Sequence, residues 1–490
     1  MLDMQKRLTR PFFALMALPA TAMGFALSVQ ISALSWILLT KFGLEIYQLG
    51  LVWAAGPIAG ILGQPIVGIL SDKLWFWGGR RRPFILIGGV LTAMALLALP
   101  NIGILSEITG IGGIVGIALI VVLTLDLSIN VSFNPTRAVI ADLTPEGDER
   151  TRGYTWMQTI SGSFGVLAYF IGGSLGNEFL IYFGAVLVFV FAIIPPLLMT
   201  EPREIPQPET AEKDAHGGDL GRLIRATLPL WAVFAYDIYV LVLRVLGVER
   251  EGFTAEWIAL AATAALVAYV LRPLPKAEQV MGENLGEFQK IMAAHAFSWV
   301  GVQTMFIYMV AFLQFRMPGI EDGTLGQVTS YAFLVLSFVS AVLPALVFTP
   351  LAMRMRRTRL HAACLGIMAV GYAAGYAFGY SPVAIYIVMA VLGVGWAAIV
   401  SLPFAIMSLR VSKTRMGLYM GIFNLSVVLP QLVASLGVGE IVYRVEDKGV
   451  VFLIGAVSLA VSAGLWLTVR PLPEGADTAP EAGESAAGGH

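Results

Sequence analysis

Long apolar runs, each closed by a short charged or proline-rich gap, recur along the whole chain and limit it to one class of fold. A helix that crosses a bilayer needs about 20 apolar residues. The runs 12–39, 47–71, 84–101, 111–135, 154–176 and 179–199 are near that length, as are 225–247 and 254–272. So are 289–314, 325–350, 360–380, 382–407, 415–438 and 449–469. The expectation is an all-α polytopic membrane protein with about fourteen spans. Composition agrees, because 13% charged residues is about half the usual ~25% of a soluble domain. That leaves too little polar surface to cover a water-soluble particle.

The charge balance and the scarce metal-binding residues exclude several functions. A net charge of -1 offers no electrostatic basis for nucleic-acid binding. The single cysteine, Cys364, excludes a disulfide framework or a multi-cysteine metal site. His216, His295, His361 and His490 are far apart, so no metal centre or cofactor is expected, nor an enzyme. The start of the chain has Lys6, Arg7 and Arg10 before an apolar run, as a secretory signal does. The run continues to Leu39, however, and reads as an uncleaved first span.

Basic residues mark the side that stays cytoplasmic. The tail and alternate loops carry them: Lys73 with Arg80, Arg81 and Arg82; Arg137, Arg150 and Arg152; Arg354 through Arg359; Arg410, Lys413 and Arg415. The opposite loops hold few, which predicts both termini in the cytoplasm. The stretch 200–222 is rich in proline and acid, including Glu201, and reads as a solvated linker. The expected organisation is a six-helix half at 1–199, linkers with an inserted two-helix hairpin at 200–288, a second six-helix half at 289–470, and a disordered tail at 471–490. The hairpin spans are nearly free of the glycines that let membrane helices approach closely, so the hairpin is expected at the periphery.

Three sets of polar residues stand out. The loop Gly68, Ser71, Asp72, Lys73, then Gly78, Gly79, Arg80, Arg81, Arg82 and Pro83, resembles the signature loop of major facilitator transporters. There an aspartate can cap a facing helix, and an acid–base network with Arg137 and Asp142 would close the cytoplasmic side. Topological anchoring by positive charge is the plainer alternative. In the fourth run Asp126, Asn130 and Asn134 are four residues apart and share a helix face. An acid within a span is costly and faces a cavity, a partner or a proton path. A structural aspartate paired with an unidentified residue is the alternative. Finally, Gln30 with Ser28 and Ser32, then Gln64, Gln158, Gln303, Asn424 and Gln431, are amides and hydroxyls inside spans. They suit a hydroxyl-rich ligand or plain interhelical hydrogen bonds. Trp299 and Trp396 can stack on a sugar ring or simply pack. In the hairpin, Asp237 and Arg244 are two turns apart and read as a mutual or lipid contact. His295 and His361 read as interfacial.

Tyr47 through Trp53, Gly56, Pro57, Gly60, Gln64, Pro65 and Gly68 lead into the arginine loop. Together with Asp126 through Leu143 they resemble the sucrose–proton symporters, a branch of the glycoside–pentoside–hexuronide cation symporters, in their bacterial form. Gly395, Trp396, Leu402, Pro403, Tyr419 through Asn424, Pro430 and Gln431 extend the likeness to the second half. The resemblance implies a major facilitator fold in the inner (plasma) membrane, acting as a monomer, that moves a disaccharide or related glucoside with a proton. Asp126 would couple the proton and touch the sugar, and Asn130 matches a polar family position. Phe133 stands where plant members have a glutamine, and Ile129 where they have an asparagine. The alternative is a non-sugar cargo, such as a pigment or another amphipathic small molecule.

Overall fold

The protein is represented by a computed structural model that describes residues 2–110, 112–145, 147–203, 220–248, 251–272, 285–411 and 416–470. The tail from 471 and most of both linkers lie outside these residues. Every regular element described is helical, apart from an isolated bridge between Phe76 and Gly79.

The helices group into two compact units. One comprises Met1–Glu209 and Phe306–Leu334, the second Thr210–Met305 and Val335–His490. The first holds α1 (Arg10–Thr40), α2 (Ile46–Trp53), α3 (Ala55–Lys73), α4 (Arg82–Ala98), α5 (Gly113–Leu143), α6 (Asp148–Leu175) and α7 (Asn177–Leu198). Here α1 packs along α6 and α7, α4 along α5 and α7, and α3 along α5. Small residues permit this packing. A Cβ at Gly88 would strike Ser132 Oγ and lie 2.6 Å from the Ser128 carbonyl oxygen, and one at Gly89 would strike Ala192. Before α1, Gln5 both donates to the Thr200 carbonyl at 2.7 Å and accepts from its N–H at 3.1 Å, tying the start of the unit to the end of α7.

The second unit holds α8 (Trp231–Val245), α9 (Thr254–Val270), α12 (Arg357–Phe378), α13 (Pro382–Ser408), α14 (Met416–Leu432) and α15 (Val450–Leu467). The helices α10 (Leu285–Arg316) and α11 (Asp322–Leu343) contribute to both units. A π-helical turn, Val433–Val438, follows α14. Gly375 lies under the ring of Phe452 and Gly455 under that of Tyr372, which lets α12 and α15 meet.

Among the described residues, ten helices rather than fourteen are long and apolar enough to cross a membrane. The run 47–71 is divided at Ala54 into α2 and α3. The run 154–176 lies in α6, where Thr155, Gln158, Thr159, Ser161 and Ser163 dilute its apolar character. The run 225–247 opens with a 3-10 turn, Leu228–Leu230, so α8 has only 15 residues, and α9 has 17. Each of these two helices is shorter than the usual span.

Candidate functional site

In the first unit α5 presents Asp126, which is 5% exposed, to α1 and α3. From α1, the buried Gln30 donates its amide to both carboxylate oxygens, at 3.0 and 3.2 Å. From α3, Gly56 allows the close approach, since a Cβ there would lie 3.2 Å from Asp126 Oδ2. Seven residues on, Gly63 repeats this against Leu127 and Asn130. The two glycines lie two helical turns apart, so one face of α3 fits the Asp126–Asn130 face of α5. The carboxyl group is thus buried between three helices, and the side chain that donates to it, Gln30, is a neutral amide.

Asn130 turns back onto its own helix, donating Nδ2 to the Asp126 carbonyl at 2.8 Å. Ser28 is used the same way on Gly24, while Ser32 joins a buried cluster with Asn177 and Ser330. Gln158 is exposed on α6. The side chain of Gln64 lies outside the described residues.

A second polar cluster sits around the arginine loop. Phe76 and Gly79 exchange backbone hydrogen bonds around Trp77 and Gly78, both at positive φ, +48° and +78°. This is the geometry of a two-residue hairpin turn, and it explains a glycine at 78. Gly79 is needed for another reason: a Cβ there would lie 2.6 Å from Glu201 Oε1. The Glu201 carboxylate accepts the backbone N–H groups of Arg80 (2.7 Å), Arg81 (2.9 Å) and Arg82 (2.6 Å). A carboxylate at a helix N-terminus meets otherwise unsatisfied donors and the positive end of the helix dipole. The cap on α4 is therefore Glu201, which is 8% exposed and not the solvated linker residue expected. The side chain of Asp72, the expected cap, lies outside the described residues.

The Arg81 side chain donates Nε to Asp142 Oδ2 at 3.1 Å and Nη1 to the buried Ser71 hydroxyl at 2.8 Å. Arg80 adds a longer contact to Asp142 at 3.8 Å. Arg82 contributes its backbone N–H to the Glu201 cap. Arg137 instead lies over the Phe133 ring, 4.0 Å from its centroid. Of the expected acid–base set, then, Arg80, Arg81 and Asp142 come together, while Arg137 stacks on an aromatic ring.

In the second unit Gln431 donates to Gln303 at 3.2 Å. Four residues before Gln303, Trp299 donates Nε1 to His295 Nε2 at 3.0 Å and meets Trp396 edge-to-face at 5.8 Å. His295 stacks on Phe423 at 4.9 Å, and Asn424 beside it is half-buried. His295 is only 1% exposed, and His361 is fully buried against Trp466. Both imidazoles are thus packed inside the helix bundle, His295 between Trp299 and Phe423 and His361 against Trp466. Arg244 does not pair with Asp237; it donates to Glu440 at 3.2 Å, and Asp237 is buried. Sequence reasoning missed Glu201 and His295, since their partners are distant or aromatic. The one available signal was an acid directly after an apolar run, at the place where a tight glycine-rich loop returns.

A family model described as the Major Facilitator Superfamily matches residues 16–435. The sucrose transport protein SUT2 of Oryza sativa subsp. japonica is 25% identical over 473 residues, covering 86% of this chain and 84% of the rice protein. The general alpha-glucoside permease of Schizosaccharomyces pombe is 34% identical over 140 residues, 27% of this chain and 25% of the yeast protein. Among solved structures, the inward-open xylose transporter XylE from E. coli is similar with a TM-score of 0.59 and 14% identity. That likeness covers 94% of this chain and 96% of XylE, and concerns the fold alone.

Proposed function

This chain belongs to the Major Facilitator Superfamily, and from that premise we propose that it is a proton-coupled symporter importing a disaccharide or related glucoside, such as sucrose or maltose, by alternating access. The observation that carries the reading is Asp126, an acid buried in a span and held by Gln30. A buried acid with a neutral partner can exchange its proton without breaking an ion pair. The named activities of the rice and yeast relatives support a glucoside as cargo.

In this reading Asp126 takes a proton from the outside, and the neutral form favours sugar binding. Coupling requires that difference, because a ligand that binds two states equally shifts neither. Release follows proton loss to the cytoplasm. Gln30 holds the carboxyl in place, and the amides Gln303 and Gln431 with Trp299 and Trp396 offer hydrogen bonds and an apolar stacking face. Arg80, Arg81 and Asp142 form a cytoplasmic latch. The protein sits in the inner (plasma) membrane with both termini cytoplasmic, and α8 and α9 are a further pair of spans between two six-helix halves.

Uptake of labelled sucrose and maltose into proteoliposomes, with and without an inward proton gradient, tests this. Gradient-driven accumulation that is lost in Asp126→Asn, with sugar exchange retained, is the expected result. Accumulation that survives the substitution refutes Asp126 as the coupling site. Absence of uptake by folded protein refutes the glucoside and points to a non-sugar cargo.

A further inference from the structure

In the second unit His295, Trp299 and Gln303 recur every fourth residue of α10 and so line one face of the helix. The Trp299 indole N–H donates to His295 Nε2 at 3.0 Å, with the two rings perpendicular at 89°. An indole N–H can only donate, so Nε2 accepts and the neutral imidazole carries its proton on Nδ1. That nitrogen is buried and has no hydrogen-bond partner among the described residues. Burying an unpaired donor is unfavourable. A phenylalanine at 295 would avoid it and keep the stack on Phe423, but would take the acceptor away from Trp299. The imidazole is itself gripped. Its plane lies 12° from that of the fully buried Phe423, which Phe404 meets edge-on at 5.0 Å. Trp396 then meets Trp299 at 85°. His295 and three aromatic side chains from α13 and α14 thus hold one indole in place.

We propose, on the glucoside reading above, that His295 is a positioning residue for the cargo: through its bond to the indole N–H it holds Trp299 ready as the stacking face for a pyranose ring. Trp299 is only half-buried, so part of the indole stays accessible. The hydrogen-bonded pair Gln303 and Gln431 lies one turn farther on, about 6 Å along the helix axis. A tryptophan offers a large, rigid apolar face. The C–H face of a pyranose lies against it while the sugar hydroxyls reach the two amides, which both donate and accept. An indole that is already fixed loses little freedom when the sugar binds, so its pre-organisation shows in affinity and not in turnover. His295 acts only through Trp299.

Sucrose uptake into proteoliposomes, paired with indole N–H NMR on the full chain carrying isotope-labelled tryptophan, tests this. His295→Phe raises the KM for sucrose roughly fivefold, the scale of immobilising one side chain, and leaves kcat within about twofold of wild type. His295→Leu, which also lacks the acceptor, gives the same split and serves where phenylalanine does not fold. His295→Gln returns an acceptor oxygen near the place of Nε2 and brings KM back to within about twofold. The Trp299 N–H signal, identified by its loss in Trp299→Phe, moves upfield in His295→Phe and returns with glutamine. An unmoved signal in folded His295→Phe overturns the hydrogen bond as the holding contact. A moved signal with wild-type KM, or a fall in kcat alone, overturns Trp299 as the stacking face. Glutamine as impaired as phenylalanine assigns the effect to packing and overturns the acceptor role. Absence of both sucrose and maltose uptake in wild type refutes the glucoside itself, and the stacking face falls with it. That outcome is distinct from the others, in which wild type transports.

Discussion

Replacing Glu201 with alanine removes the acceptor of three backbone N–H groups at once, those of Arg80, Arg81 and Arg82. Two effects oppose each other. Deleting a carboxylate that is 8% exposed relieves its desolvation, which amounts to several kcal/mol for a buried ion. In the native protein, however, those three charge-assisted bonds and the α4 dipole already offset that cost. Their loss strands part-buried donors at about 1–3 kcal/mol each, a cost that already includes the missing helix cap of about 0.5–2 kcal/mol. Water entering the alanine cavity recovers part of this, so the net destabilisation is about 3 kcal/mol for Glu201→Ala. Glu201→Gln keeps one acceptor oxygen, turns an amide N–H toward the donors, and costs about half as much. At roughly 2–4 °C per kcal/mol, alanine lowers the melting midpoint by about 6–12 °C and glutamine by about 3–6 °C. Fluorescence-detected size exclusion after heating, in one detergent, measures both. Midpoints within 1 °C of wild type for alanine, or glutamine worse than alanine, would refute the capping argument.

Substitutions at Gly56 and His295 probe two other contacts. Gly56→Val places branched carbon where a single Cβ already lies 3.2 Å from Asp126 Oδ2, so it should displace the carboxyl and cut gradient-driven uptake at least tenfold. Gly56→Ala should lose less, and valine with wild-type uptake would show that α3 does not confine Asp126. His295→Phe keeps the stack on Phe423 but strands the Trp299 N–H. It should cost about 1–2 kcal/mol, and a double-mutant cycle with Trp299→Phe showing no coupling would discount that hydrogen bond.

Several of these features were legible in the sequence because they depend on local spacing. The spans α1, α5, α10 and α13 follow from apolar length, and the shared face of Asp126 and Asn130 follows from their four-residue separation. In the hairpin runs, apolar length alone does not give the bounds of the helices. Proline at 229 starts a 3-10 turn, and the helices that form are 15 and 17 residues long. In α6, apolar residues are numerous enough to suggest a span, but its row of hydroxyls and Gln158 dilutes them.

Apolar length by itself determines that this chain is helical, because in hydrocarbon each backbone N–H and C=O must be satisfied within its own segment. The sequence likewise places an acid on one face of α5 and a row of arginines after a tight loop. Only the tertiary structure decides which residues meet them. Gln30 reaches Asp126 across 96 positions, and Glu201 reaches Arg81 across 120. His295 is buried on Phe423, far along the chain. Helical periodicity specifies which residues share a face, but not which helix will pack against it. That choice rests on the close approach allowed at Gly56, Gly79 and Gly88, where the spacing of two backbones becomes visible only once both are in place.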